Sequence, residues 1–318
     1  MTPEFNLIEK YFARPAKKAV LGIGDDCALI NVSPGCELAI STDTLVESTH
    51  FFPNADAMLL GHKALAVNLS DLAAMGATAR YVTLALTLPK IDDSWLRAFS
   101  DGFFALAERH EVELIGGDTT RGPLSMTLTV FGEVPQGAAL RRDGAKAGDD
   151  VWVSGTLGDA ALALRHLQSK TTLPPDICER VAARLHQPEP RLKLGVALRG
   201  IASAAIDISD GLIADLTHIC ERSALSAQIE WPQIPLSPAL QSMDAGSRQN
   251  CALAGGDDYE LCFTAPPSVR EKIATISTTL ALPLTRIGQL YAGRANVTVI
   301  DDKGNLMSLS QIGFDHFA

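Results

Sequence analysis

The sequence predicts a mixed α/β (α+β) protein of two domains. Strand-like runs rich in β-branched residues alternate with runs of helical periodicity along the whole chain. The length of 318 residues suits two domains. A stretch rich in Gly, Ala and charged residues at 135–149 is the expected connection between them. We therefore expect an N-terminal domain of sheet and helices over 1–137 and a C-terminal α/β domain over 138–318.

Three helices and four strands are predicted for the N-terminal domain. The amphipathic start, residues 1–18, is the first helix, and apolar residues at helical spacing predict two more at 55–76 and 93–111. Gly76 is a suitable C-terminal stop for the second helix. Runs rich in Val, Thr, Leu and Ile predict strands at 36–45, 80–88, 112–118 and 124–134.

The C-terminal domain mixes helices and strands. Pro190 stands near the start of one predicted helix, a position that tolerates the missing N–H group. Helices are expected at 157–168, 178–187, 190–200, 210–223 and near 268–280. Strands are expected at 150–155, 203–209, 259–265, 285–290 and 296–301.

Composition and charge exclude several classes of protein. The net charge of −10 argues against nucleic acid as the main partner. No apolar run approaches the roughly 18 residues of a membrane helix, and the start lacks the apolar core of a signal peptide, so we expect a cytoplasmic protein. The six scattered cysteines form no CxxC pair and are expected to be reduced thiols. A chain this negative repels phosphorylated substrates unless cations intervene.

Carboxylates recur behind small or polar residues at the boundaries of the predicted elements. Each motif alone fits an Asx turn or a helix N-cap; Asp210, for example, precedes Gly211 and an apolar helical run. The motifs are GIGDD, STD, LSD, GGD, DISD and GGDDYE, which carry Asp25, Asp26, Asp43, Asp71, Asp118, Asp207, Asp210, Asp257, Asp258 and Glu260.

An Asx turn or a helix N-cap accounts poorly for Asp71, because this residue lies inside an apolar helical run where an unpaired carboxylate is unfavourable. Taken together, the carboxylates predict a site for magnesium and a nucleotide, since Mg²⁺ is bound by a few carboxylates together with phosphate oxygens and water. The EF-hand pattern of calcium sites is absent from the sequence. The P-loop and the GxGxxG fingerprint are absent too, so a nucleotide would bind by another route.

Seven motifs together resemble the thiamine-monophosphate kinase family over about residues 4–317: GIGDDCA, ISTDTLVESTHF, KALAVNLSDLAAMGA, LIGGDTTRGPLSMTLT, AIDISDGL, GGDDYELCF and GFDHF. The resemblance implies the two-domain fold of the aminoimidazole-ribonucleotide synthetase-like ATP-binding superfamily. It also implies a homodimer formed through the N-terminal domains. The implied reaction converts ATP and thiamine monophosphate into ADP and thiamine diphosphate.

The resemblance also implies roles for single residues. Catalytic roles fall to Asp71, Asp118 and Asp207. The nucleotide contacts are Gly117, Asp118, Arg142 and Ser209, and the contacts to thiamine phosphate are His50, Asp257 and Phe314. The magnesium ligands are Asp26, Ser41, Thr42, Asp43, Asp71, Asp118, Asp207 and Asp210.

Two positions depart from the family pattern. Asp257 stands where the family often has Glu, so the carboxylate is kept but is one methylene shorter. Phe314 stands where some relatives carry another aromatic residue, which keeps ring stacking but removes any hydroxyl contact. The implied mechanism is direct in-line transfer of the γ-phosphoryl group, assisted by several Mg²⁺ ions.

Two alternatives belong to different classes. One is another ATP-using member of the superfamily, which activates a carbonyl or amide oxygen. Selenophosphate synthetase needs a reactive cysteine or selenocysteine near its N-terminus and the hydrogenase-maturation member ends in a modifiable cysteine, whereas the first cysteine here is Cys27 and the sequence ends in DHFA, which argues against those two members. The other is a protein that binds a divalent ion or a nucleotide without catalysis. Motifs spread over both domains favour an enzyme over this second alternative.

Overall fold

The structure, a computed structural model, describes residues 3–308 and Gly313. The chain divides into two compact units. The N-terminal unit consists of Met1–Leu72 and Ala77–Gly137, and the C-terminal unit consists of Ala73–Gly76 and Ala138–Ala318. Each unit contains one β-sheet, so the mixed α/β class is confirmed.

The first predicted helix is shorter than expected. Helix α1 covers Pro3–Leu7 and continues as one π-helical turn, Ile8–Phe12, after which Ala13 is extended. The prediction of a helix to residue 18 was therefore wrong. Pro15 explains the early end, because a proline disfavours helical conformation in the residue before it and cannot donate a backbone hydrogen bond.

The N-terminal unit is a four-stranded sheet in the order β1-β4-β2-β3. Only β2 and β3 are parallel, and the crossover between them contains α3. The N-cap of α3 is Asp92, whose carboxylate accepts hydrogen bonds from the backbone of Ser94 and Trp95. The elements are β1 (Cys36–Val46), α2 (Ala57–Ala74), β2 (Thr78–Leu88), α3 (Asp93–Arg109), β3 (Glu113–Arg121) and β4 (Ser125–Pro135).

One face of this sheet packs against α2. The alternate β4 residues Met126, Leu128 and Val130 are fully buried, and Leu72 of α2 lies close to Gly132 on the same face. The other face carries Ile40, which is 57% exposed, and rows of threonines. We call these the helix face and the open face of the sheet.

Helices α2 and α3 touch at two glycines. A Cβ atom on Gly61 would lie 2.1 Å from the carbonyl oxygen of Phe99, and one on Gly102 would lie 1.9 Å from that of Met58. Atoms at such distances overlap, so only glycine permits this approach of the two backbones.

The C-terminal unit is a six-stranded sheet in the order β10-β7-β9-β5-β8-β6, in which only β10 and β7 are parallel. Its strands are β5 (Asp150–Ser154), β6 (Ala204–Asp207), β7 (Leu225–Glu230), β8 (Leu261–Ala265), β9 (Leu284–Ala292) and β10 (Asn296–Ile300). Its helices are α4 (Asp159–Leu167), α5 (Pro175–His186), α6 (Leu192–Leu198), α7 (Leu212–Ser223), α8 (Pro238–Gln241), α9 (Ala245–Ala254) and α10 (Arg270–Leu280).

Three elements of this unit, β7, the short helix α8 and α9, have no counterpart in the sequence prediction. Strand β7 buries alternate residues, but its Ser, Ala and Gln residues have low β-propensity. Helix α9 contains Gly, Ser and Asn, which are weak helix formers, and its first turn depends on the carboxylate of Asp244 accepting from the backbone of Ser247. For β7 and α9, tertiary contacts and capping outweigh local propensity.

All six cysteines are free thiols, and Cys220, Cys251 and Cys262 are buried while Cys27 is exposed. Burial raises the pKa of both Cys220 and Cys251 to about 11. Within residues 3–308 and Gly313, no helix has the length and apolar character needed to cross a bilayer.

Replacing Gly102 tests the contact between α2 and α3. Alanine is the better helix former by about 1 kcal/mol, but its Cβ would overlap the Met58 carbonyl oxygen. We expect Gly102→Ala to lower the free energy of unfolding by about 1–3 kcal/mol, measured by urea denaturation. Asp101→Ala, at the exposed neighbouring position, is the matched control. Equal urea midpoints for the parent and Gly102→Ala would show that the two backbones are not in contact.

Candidate active site

On the helix face, hydrogen bonds between α2 and β1 involve two acidic residues, Asp71 of α2 and Asp43 of β1. Ser41 and Asp43 are two residues apart on β1, so their side chains share one face of the sheet. The Ser41 hydroxyl donates a hydrogen bond to the carboxylate of Asp71. The backbone N–H of Asp43 donates to Oδ1 of Asn68 (3.1 Å), and the Asn68 amide in turn donates to the carbonyl of Ala64 (2.9 Å). Asn68 is fully buried and fixes the backbone of Asp43.

Thr42 and Asp118 lie on the open face. The Thr42 hydroxyl is 2.9 Å from that of Thr129. Asp118 is in register with Ala85 of β2, which is in register with Thr127 of β4, so the three side chains form one row. Asp118 is exposed and is therefore on the opposite side of the sheet from Asp71.

The backbone geometry at position 117 requires glycine. Its φ is +149°, and a Cβ atom there would lie 1.9 Å from the carbonyl oxygen of Leu84. The neighbouring strand therefore approaches Gly117 more closely than any other residue would permit.

The first carboxylate motif lies in an irregular, largely exposed segment before β1. Asp25 and Asp26 are both exposed, and an oxygen of Asp25 accepts from the backbone N–H of Asp26 at 2.9 Å. Gly24 has φ of +130°, which turns the chain before the pair. The segment is tied by backbone pairing between Leu21 and Leu29.

In the C-terminal unit, a short loop between β6 and α7 carries Asp207, Ser209 and Asp210. Asp207 ends the strand and is 5% exposed. One oxygen of Asp215, in the first turns of α7, accepts hydrogen bonds from the backbone N–H groups of Ser209 (3.0 Å), Asp210 (3.1 Å) and Gly211 (3.1 Å). Burial, with the negative charges of Asp207 and Asp210, raises the pKa of Asp215 to about 8. The side chain of Asp215, and not that of Asp210, satisfies these N–H groups.

The segment 255–260 pairs with this loop through its backbone. Asp257 and Tyr259 have φ of +68° and +49°, a region that residues other than glycine rarely adopt. Their N–H groups donate to the carbonyls of Ser209 and Ile208, each at 2.8 Å. Asp257 therefore lies beside Ser209, and the structure brings together four predicted site residues of this unit.

Buried charges hold the segment 255–260 in place. Both carboxylate oxygens of Asp258 accept from the backbone N–H of Gly158 at 2.9 Å. Glu260, which is fully buried, forms ion pairs with Arg184 (2.6 Å) and Arg191 (2.7 Å). A buried carboxylate is tolerated when it is paired and hydrogen-bonded in this way. Burial raises the pKa of Asp258 well above its ordinary value.

Three predicted residues lie apart from these contacts or outside the described chain. His50 is half-buried, and its Nδ1 accepts from the backbone N–H of Val46 at 3.0 Å. Arg142 is exposed, and its carbonyl accepts from the hydroxyl of Ser223 at 2.8 Å. Phe314 lies outside the described residues.

The magnesium prediction is not tested by this geometry. Among residues 3–308 and Gly313, no three His, Cys, Asp or Glu side chains are grouped closely enough to hold a metal ion. The donor chemistry nevertheless fits a hard divalent cation. The groups near one another are carboxylate and hydroxyl oxygens, such as Ser41 with Asp71, which are the ligands that a hard divalent cation prefers.

Comparison with known proteins assigns both halves of the chain. Residues 24–134 match the model of the AIR synthase related protein, N-terminal domain, and residues 146–301 match that of the C-terminal domain. The thiamine-monophosphate kinase of Salmonella typhimurium is 48% identical over 320 residues, covering 99% of this chain and 98% of its own length.

The chain belongs to the thiamine-monophosphate kinase family. It is accordingly an enzyme, a kinase. A crystal structure of thiamine-monophosphate kinase from Stenotrophomonas maltophilia is 47% identical, with a TM-score of 0.85 over 95% of this chain and 96% of that one. A structure described as AaThiL complexed with AMPPCP and TMP is 29% identical, with a TM-score of 0.77 over 98% and 96% of the two chains. The hydrogenase maturation protein HypE, at 22% identity and a TM-score of 0.78, shares the fold.

Sequence reasoning missed several residues that shape this kinase's candidate site. Asn68 and Asp215 were assigned nothing, although each is a polar residue inside an apolar helical run, the same signal that singled out Asp71. Arg184 and Arg191 gave no such signal, because arginines on amphipathic helices are usually solvated. Their pairing with Glu260 depends on contacts across about 70 residues of chain.

Asp258→Asn should change how stability depends on pH. Because the pKa of Asp258 is raised in the folded protein, the stability that its proton contributes is complete below about pH 4, the ordinary aspartate pKa, and is lost as the pH rises toward the folded-state value. The variant cannot ionise and lacks this loss. Its free energy of unfolding, measured by urea denaturation at several pH values, should therefore increase relative to the parent's as the pH rises from about 4.

Asp101→Asn, which makes the same chemical change on the exposed surface of α3, is the control and should follow the parent's pH profile. Parallel profiles for Asp258→Asn and the parent would contradict a raised pKa at Asp258.

Proposed function

We propose that the chain transfers the γ-phosphoryl group of ATP to thiamine monophosphate, giving thiamine diphosphate and ADP, the last step of thiamine diphosphate biosynthesis. The observation that carries this proposal is the relative described as complexed with AMPPCP, an ATP analogue, and TMP, whose fold matches 98% of this chain. The 48% identity with the Salmonella typhimurium kinase supports the same substrates.

The acceptor is itself a phosphate monoester. With a second pKa near ~6, it is largely a dianion at neutral pH and needs no general base. The difficulty is to bring two polyanions into line, and positioning and charge neutralisation do nearly all the work in such transfers. The proposed reaction is attack of the acceptor oxygen on the γ-phosphorus, with ADP leaving and no phosphoenzyme.

The carboxylates are proposed to hold several Mg²⁺ ions. When bound, Mg²⁺ supplies positive charge that neutralises the phosphates. Ser41, Asp43 and Asp71 would contribute from the helix face, and Asp207 and Asp210 from the loop before α7. Hydrogen bonds to Asn68 and Asp215 hold the backbones of Asp43 and of the loop before those ligands are used. The remaining proposed ligands are Asp26, Thr42 and Asp118.

The organic parts of the substrates are assigned to a second set of residues. Gly117, Asp118, Arg142 and Ser209 are the proposed nucleotide contacts. His50, Asp257 and Phe314 are the proposed contacts to thiamine phosphate.

The thiazolium ring of thiamine is cationic, so a carboxylate and an aromatic face are suitable neighbours. Asp257 supplies the carboxylate from a backbone that is fixed by Ser209 and by the buried Asp258 next to it. A fixed backbone compensates in part for the shorter side chain, because the carboxylate is held in one place before the substrate arrives.

A cytoplasmic homodimer is part of the proposal. The open face of the four-stranded sheet offers a surface for a second copy, because Ile40 is 57% exposed there and Phe131 lies beside it in register. Thr42 and Asp118, which face away from Asp71, lie on this surface. Two sheets that pack face to face lie about 10 Å apart.

One assay tests the reaction. Purified protein is mixed with Mg–ATP and thiamine monophosphate, and ADP and thiamine diphosphate are quantified by chromatography. Equal amounts of the two products are expected. ADP without thiamine diphosphate would point to another acceptor, and binding without ADP would support the non-catalytic alternative. Incubation with γ-³²P-ATP should leave no label on the protein; a labelled protein would contradict direct transfer.

Asp71→Asn should lower turnover on the order of 10²–10³-fold, because it removes a negative charge proposed to bind metal while the amide oxygen still accepts from Ser41. The thermal midpoint should stay close to the parent's. Steady-state kinetics and thermal denaturation measure the two effects. Asp101→Asn, an exposed site on α3, is the control for the chemical change. Normal turnover of Asp71→Asn would rule out a metal role for this residue.

Ile40→Arg should convert the dimer to a monomer. A buried arginine without a partner is costly at an interface, whereas the exposed position tolerates it in the isolated chain. Sedimentation velocity should show a particle of half the parent's mass. Ala105→Arg, on the exposed side of α3, should leave the mass unchanged. A monomeric parent, or a dimeric Ile40→Arg variant, would remove the open face as the dimer contact.

A further inference from the structure

Each backbone N–H group of residues 208–211, between β6 and α7, donates a hydrogen bond. The N–H of Ile208 donates to the carbonyl of Glu260 at 2.8 Å, which continues the pairing of β6 with β8. The next three N–H groups, of Ser209, Asp210 and Gly211, all donate to one oxygen of Asp215. Gly211 is buried and Ser209 and Asp210 are half-buried, and a buried N–H without a partner is unfavourable, so this single carboxylate stabilises the conformation of the loop.

The position of Asp215 is itself fixed. Its side chain is buried, with 3% exposure, and its backbone N–H donates to the carbonyl of Gly211 at 3.0 Å in the first turn of α7. Gly211 has φ of +126°, and a Cβ there would lie 2.9 Å from the backbone of Ala254. The loop is therefore held from two sides, by α7 and by the end of α9.

The segment 255–260 holds the loop between β6 and α7 from a third side. The carbonyls of Ser209 and Ile208 accept from Asp257 and Tyr259, and a Cβ on Gly256 would lie 2.3 Å from the carbonyl oxygen of Ser209. Movement of the loop would therefore displace Asp257 as well as its own side chains.

A helix N-cap alone does not account for this arrangement. The N-cap residue of α7 is Gly211, which has no side chain, and Asp215 reaches back beyond it to the two residues that precede it. Those residues, Ser209 and Asp210, are the ones assigned to nucleotide and metal. With the N–H groups satisfied by Asp215, the Asp210 carboxylate is not required as a cap.

We propose that Asp215 is a positioning residue for the phosphate-transfer site: its carboxylate sets the backbone from which Asp207, Ser209 and Asp210 reach metal and nucleotide. This inference rests on the proposed function, since it takes the roles of those three residues from it. In this proposal Asp215 acts through the backbone of the loop, because one of its oxygens accepts from three N–H groups of that loop.

The test compares Asp215→Asn with Asp215→Ala. The amide oxygen of asparagine can accept from the same N–H groups, although hydrogen bonds to a neutral acceptor are weaker. We expect Asp215→Asn to keep kcat within about fivefold of the parent. Asp215→Ala leaves the loop without its acceptor, and misplacement of the ligands by about 1 Å should lower kcat by about 10²-fold. Glu221→Ala, which removes an exposed carboxylate from the same helix, is the matched control and should match the parent.

Calorimetric titration with Mg–AMPPCP keeps the inference independent of catalysis. Asp215→Ala should weaken its binding, and Asp215→Asn should retain it. If the parent binds Mg–AMPPCP but makes no thiamine diphosphate, the proposed function fails while the binding comparison still tests Asp215. If Asp215→Ala does not fold, Asp215→Ser, which also lacks the carboxylate, replaces it.

Two outcomes would overturn the inference. If Asp215→Asn loses as much activity and Mg–AMPPCP affinity as Asp215→Ala, the negative charge is what matters and Asp215 acts as a ligand. If Asp215→Ala melts at a lower temperature but keeps the parent's kcat and affinity, the residue only caps α7.

Discussion

Repulsion between neighbouring carboxylates is the constraint that most of this structure must satisfy. A buried carboxyl group is tolerated if donors or cations surround it or if it holds a proton, and the C-terminal unit combines paired arginines and backbone N–H donors with raised pKa values at Asp215 and Asp258. Glu260 is paired with Arg184 and Arg191, whereas Asp258 and Asp215 accept backbone N–H groups. Burial, together with the negative charges of Asp207 and Asp210, raises the pKa of Asp215 to about 8.

The negative charges of the carboxylates have two kinds of partner: groups of the protein itself and a cation that binds and leaves. Arginines and backbone amides stay with the protein, and they stabilise the segments on which the proposed ligands stand. A bound cation comes and goes with the nucleotide, so the residues left for it must tolerate its absence. Asp25, Asp26 and Asp118 tolerate the absence of a cation because they are exposed, and water screens charges at the surface. Asp71 tolerates the absence of a cation because its carboxylate accepts a hydrogen bond from the hydroxyl of Ser41.

Periodicity and turn residues in the sequence predict most strands and helices, because each has an apolar face whose spacing survives in the fold. The carboxylate motifs likewise indicate where the candidate site lies. The sequence does not reveal which face of the sheet each side chain takes: Thr42 and Asp118 face away from Asp71, and only the register of β1 to β4 shows it. Nor does it reveal the supporting residues Asn68 and Asp215, whose partners are backbone groups that a motif does not record.

The glycine contacts between α2 and α3 bear on how the N-terminal unit can respond to substrate. Backbones that meet at Gly61 and Gly102 leave no layer of side chains to slide over one another. Asp71 and Asn68 lie on α2, so a displacement of their backbone would also displace α3. Substrate recognition in this unit should then draw on small rotations of side chains, and little binding energy is diverted into rearranging the scaffold.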